Sequence, residues 1–91
     1  MGHAFEELVE KQRAADQAHH RVEDLSRAYG PPAEHKWSRK QTTTYETAFR
    51  AWRDLDRDMR SAVAEYAKEQ GRARQEVETD VRTAVSRTEP A

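Results

Sequence analysis

The sequence predicts an all-α fold: an antiparallel helical hairpin with a long second helix, which Gly71 either interrupts to give a three-helix bundle or lets run on. Three observations carry this. Apolar residues recur at spacings of three, four and seven along two long stretches. Between the stretches stands "YGPP", a helix stop. Alternation of apolar and polar residues, the mark of a half-buried strand, is missing. With 91 residues the chain has room for one small domain, residues 1–91.

The first helix is expected over residues 4–29. Phe5, Leu8, Ala15, Val22, Leu25 and Tyr29 form its stripe, interrupted by Gln12 and His19. Glu7 with Lys11, and Glu23 with Arg27, are favourable i,i+4 pairs on the solvent side. Gly30 can adopt a left-handed cap, and Pro31 and Pro32 cannot continue the helical ladder. Residues 30–37 then make a short turn, which sets the flanking helices antiparallel.

The second helix has two candidate starts. Ser38 with Gln41 makes one capping box, with Trp37 in the staple position; Thr43 with Glu46 makes another. The Ser38 start is favoured, although Arg39 and Lys40 oppose the helix dipole there. The stripe continues through Tyr45, Ala48, Phe49, Trp52, Leu55, Met59, Ala62, Val63 and Tyr66, then loosens to Ala73, Val77, Val81, Ala84 and Val85.

Gly71 decides the architecture. "AKEQ" before it and "RARQEVE" after it are strong helix formers, and Glu69 and Arg72 can pair across it. These residues favour one helix over 38–87, with a frayed tail at 88–91. Such a helix outruns the first, leaving Val77, Val81 and Val85 uncovered unless a second copy or another helical protein covers them. A break at Gly71 instead folds residues 72–87 back as a third helix.

Composition narrows the function. Lys and Arg number 16 against 17 Asp and Glu, a net charge of −1, so the basic excess of a nucleic-acid binder is missing. Cysteine is absent, which excludes disulfides and thiol chemistry and fits a cytoplasmic protein. Neither an apolar run of about 20 residues nor a signal pattern is present, so no membrane partner is expected. Twelve arginines against four lysines, with no isoleucine, read as the codon bias of a GC-rich bacterial genome. Only 35% of residues are apolar, and 14 of them are alanines, a shortage that points to self-association or a partner.

The candidate chemistries are weak beside their structural alternatives. His19 and His20 point about 100° apart on a helix and cannot share a metal. Asp16–His20 and His19–Glu23 would each supply two ligands, too few for a site, so no metal and no cofactor are expected. Arg50, Arg53, Arg57 and Arg60 form a stripe, but Arg50–Asp54 and Asp56–Arg60 are expected to pair within it. Tyr45, Phe49 and Trp52 read as core. His35, Lys36, Trp37, Arg39 and Lys40 form the one basic patch, a candidate docking point, with Trp37 favoured as a staple on Tyr29 and Tyr45.

The expected function is therefore a non-catalytic interaction or assembly module. It would self-associate, as a homodimer, or dock a helical partner through Trp52, Met59, Tyr66, Val77, Val81 and Val85. No enzyme activity is expected. One alternative is a small helix-turn-helix-like DNA-binding regulator, with Gln75, Thr79, Arg82 and Arg87 facing the duplex and Glu76, Glu78 and Asp80 opposing it. Another is an accessory subunit of a larger enzyme complex.

Overall fold

Helix α1 runs from Phe5 to Tyr29 and stops where Gly30 meets Pro31 in this computed structural model, which describes residues 3–88. Its N-cap is Ala4, which offers no side-chain cap. Gly30 has φ 76° and ψ 172°, so it takes the positive φ expected of it but not the left-handed helical ψ. Pro31 is the reason: the residue before a proline is driven to an extended ψ. Positive φ with extended ψ is open to glycine almost alone.

Helix α2 spans Arg39–Gln70 and begins as the capping box predicts. The Gln41 N–H donates to Ser38 Oγ at 3.1 Å, and the Ser38 N–H donates to Gln41 Oε1 at 2.9 Å. Two of the orphan donors of the helix start are thereby satisfied.

At Gly71 the continuous helix expected from local propensity does not form. Gly71 sits at φ 63° and ψ 33°, the left-handed conformation. Its N–H donates to Lys68 O at 3.3 Å, and the Arg72 N–H donates to Ala67 O at 2.9 Å. This is the Schellman arrangement, which recovers carbonyls lost at the helix end. Helix α3 then runs from Arg74 to Thr88.

The break changes the fate of the C-terminal valines. Val77, Val81 and Val85 are 0%, 1% and 5% exposed, packed inside the chain rather than left bare. One cluster draws on all three helices: Leu8 from α1, Met59, Ala62, Val63 and Ala67 from α2, and Val77 and Val81 from α3, with Phe5 and Tyr66 against it. Folding back shelters about three valine side chains at roughly 1.5–3 kcal/mol each. Interrupting a helix at a glycine forfeits far less, because the glycine is already unfavourable there by about 1 kcal/mol. No helix among the described residues is long and apolar enough to cross a membrane.

The bundle is three helices deep at one end only. Helix α3 has 15 residues and α2 has 32, so α3 reaches about half-way back along its neighbour. The rest of the molecule is a two-helix hairpin.

Candidate functional site

The hairpin end carries a continuous run of aromatic rings. Tyr45, Phe49 and Trp52 share one face of α2 because they stand at i, i+4 and i+7. Their rings touch in sequence, Tyr45–Phe49 at 6.1 Å between centroids and Phe49–Trp52 at 5.4 Å. Trp37 extends the run from the turn, edge-on to Tyr45 at 5.1 Å and to Tyr29 at 5.4 Å. Its indole N–H donates to Gly30 O at 2.9 Å, which locks the ring against the end of α1. His19 closes the other end at 4.7 Å from Trp52.

Trp37 is therefore the staple that the sequence suggests, packed on Tyr29 and Tyr45. The basic patch divides around it. His35, Lys36, Arg39 and Lys40 remain exposed at the tip of the hairpin, while Trp37 turns inward.

The side chains expected at an intermolecular seam separate as well. Met59, Val77, Val81 and Val85 are buried within the chain, and Tyr66 packs on the core beside Phe5 at 6.1 Å. Since α3 already covers them, they offer no bare seam. Trp52 alone of that set lies in the aromatic run.

The rings of Tyr29, Trp37, Tyr45, Phe49 and Trp52 are half-buried rather than sealed. The last turns of α3 stop beside His19: Arg82, Val85 and Ser86 line a shallow depression with Gln12, Asp16, His19 and His20. Beyond the end of α3, the half-buried rings from Trp52 to Tyr45 follow one face of α2.

The surface of α2 beside Phe49 is basic. Glu46, Phe49, Arg50, Arg53, Asp54 and Arg57 line a second depression. Asp56 pairs with Arg60 at 3.0 Å as expected, but the Arg50–Asp54 pair does not form. Among the described residues, Arg50, Arg53 and Arg57 have no carboxylate within ion-pair distance. Three guanidinium groups against Glu46 and Asp54 leave this surface net positive.

Charged side chains of α1 find partners. His19 Nδ1 lies 3.0 Å from Glu23, which also meets Arg27 at 3.6 Å. The expected Glu7–Lys11 pair gives way to other partners: Lys11 crosses to Asp58 at 2.6 Å, and Glu7 meets His3 at 2.7 Å. Among the described residues, no three His, Asp or Glu side chains gather as a metal site.

Sequence reasoning finds Tyr45, Phe49 and Trp52 as a cluster and joins it through Trp37 to Tyr29, but it does not find the contact with His19. Hairpin register supplies the missing signal. Phe5–Tyr66 and His19–Trp52 lie in one register, since an equal step along α1 and back along α2 leads from one ring pair to the other. No family model, curated protein or solved structure matches the chain.

Proposed function

We propose that the chain is a non-catalytic interaction module that docks a helix of another protein along the aromatic run beyond the end of α3. The supporting observation is the half-buried aromatic run from Trp52 to Tyr45, with Arg50, Arg53 and Arg57 beside Phe49. Large aromatics beside Arg are the residue types that dominate interface energetics. The occupant is an amphipathic helix with apolar anchors at i, i+4 and i+7 and carboxylates towards those three arginines.

A synthetic amphipathic peptide of about 15 residues, with Leu anchors and a Glu flank, is the direct probe. Binding should change Trp fluorescence and weaken about tenfold or more in Trp52→Ala. The surface variant Arg53→Glu/Arg57→Glu, which leaves the core untouched, should weaken it too and reduce its salt dependence. A peptide of the same anchors with a Lys flank that binds equally well removes the charge argument. No binding by either peptide, with no partner captured from the native host, defeats the proposal.

A second reading is a small DNA-binding regulator, favoured by the left-handed turn at Gly71 between α2 and α3. Arg82, Thr83, Ser86 and Arg87 line an exposed face of α3. The N-terminal half of α3, which would enter the groove, carries Glu76, Glu78 and Asp80 instead. Steeply salt-dependent binding to a duplex, weakened in Arg82→Ala or Arg57→Ala, would establish this reading. No binding at low salt dismisses it.

A further inference from the structure

We propose that two copies of this chain exchange α3, by straightening residues 71–73 so that α2 and α3 become one helix in each copy. The partner is a second copy, and the surface it uses is the cleft that α3 now fills. That surface is distinct from the aromatic run, so neither proposal depends on the other.

The connection is what makes exchange accessible. Three residues, Gly71 to Ala73, separate two helices. The flanks are already helical in α2 and α3, so straightening adds only residues 71–73, of which Arg72 and Ala73 are helix formers. A short hinge joining an element that can pack identically on its own copy or on another is the usual route to exchange. Gly71 is exposed, and a Cβ built on it would meet nothing within 4 Å. A side chain at position 71 would therefore act through backbone conformation and not through a clash.

Exchange preserves the packing of α3 and changes only which copy supplies it. In the pair, each copy's Val77 and Val81 would lie against Leu8, Met59 and Val63 of the other. The two long helices would run antiparallel and pass each other at the paired hinges. As one helix, residues 39–88 would reach about 75 Å, against 49 Å for the longest extent of the folded-back chain.

One contact belongs to the folded-back form alone. Arg72 Nη2 donates to Asp80 Oδ2 at 2.6 Å, while Arg72 Nε lies 3.6 Å from Glu76 Oε2. In a continuous helix Glu76 stays one turn from Arg72, but Asp80 lies about 12 Å from it along the axis. The Arg72–Asp80 bond is thus a clasp on the closed hinge.

Sedimentation equilibrium and small-angle scattering test this on the full chain. Gly71→Ala penalises the left-handed hinge and favours the straight one. Each hinge should contribute about tenfold, so the dimer dissociation constant should fall roughly 100-fold. Gly71→Asn, which tolerates the left-handed conformation, should stay near the wild type. Asp80→Asn should lower the constant a few-fold by opening the clasp. Because Gly71→Ala can lose its fold, the wild type is also unfolded and refolded at about millimolar concentration, where a second copy competes best with the chain's own α3. An elongated dimer from either route supports exchange. Monomer from both overturns it, and so does a dimer that Gly71→Asn forms as readily as Gly71→Ala.

Discussion

Val77 and Leu55 are both apolar helix residues, yet the structure gives them different energetic roles. Val77 is 0% exposed at the junction of the three helices, whereas Leu55 is 37% exposed. Val77→Ala should destabilise the protein by about 2 kcal/mol, from two lost methyl groups and the cavity they leave. Leu55→Ala should cost about 0.5 kcal/mol. Denaturant titration of both variants checks the contrast; equal midpoints would show that α3 is not packed as described. His3 makes a second residue-scale case. Its ring nitrogens lie 2.7 Å from Glu7 and 2.7 Å from Glu65, tying the start of α1 to α2. The hydrogen bond to Glu7, then that to Glu65, holds the imidazolium above the ordinary histidine value of 6.5. The protonated form is the bonded one, so its stabilisation is full below 6.5 and is lost as pH rises through the raised folded value. The site is exposed, so the effect is small. The thermal midpoint should fall as pH climbs from about 6 to about 8, and the fall should shrink in His3→Gln. An identical pH profile in that variant would assign the effect to other groups.

Helix ends show which parts of the architecture local chemistry determines. Ser38 and Gln41 cap α2 through short-range bonds that the sequence displays in full. Ser38→Ala should therefore cost about 1 kcal/mol, read as a lower melting temperature. An unchanged melting temperature would mean that Trp37 alone anchors this end. The stop at Gly30 is equally legible, because proline both ends the ladder and sets the backbone before it. Trp37 on Tyr29 and Tyr45 follows from those two ends once the turn is short. Gly71 is not legible by the same means. Its neighbours favour helix whether or not the chain turns there, and the propensity terms involved are worth about 1 kcal/mol. What decides the matter is the burial of Val77 and Val81 against Leu8, Met59 and Val63, a contact between residues far apart in sequence, with Val85 buried farther along α3. The shortage of large apolar side chains points to a need for cover, and α3 supplies part of it from within the chain. The aromatic run is partly legible for a similar reason: spacing groups Tyr45, Phe49 and Trp52, but the place where α3 stops depends on the break.

Across the whole molecule, the two ends differ in how their apolar surface is closed. At one end Leu8, Val63, Val77 and Val81 are fully buried among three helices. At the other, two helices hold a row of half-buried rings with a basic surface beside them. Helix α2 belongs to both ends, so it reports the difference along a single element. Opening the hairpin end exposes aromatic faces that already meet solvent, and it leaves the three-helix cluster intact. Opening the other end exposes the cluster itself, which requires global unfolding. Local opening should therefore be easier at residues 42–52 than at residues 59–67. In hydrogen exchange on the intact protein, amides in the first segment should exchange about tenfold or more faster, once corrected for intrinsic rates. A bound helix on the aromatic run should slow the first segment towards the second, whereas exchange of α3 between copies should leave that contrast in place. Uniform protection along α2 would mean that the hairpin end is already closed as tightly as the core, and the aromatic run would lose its claim to an external occupant.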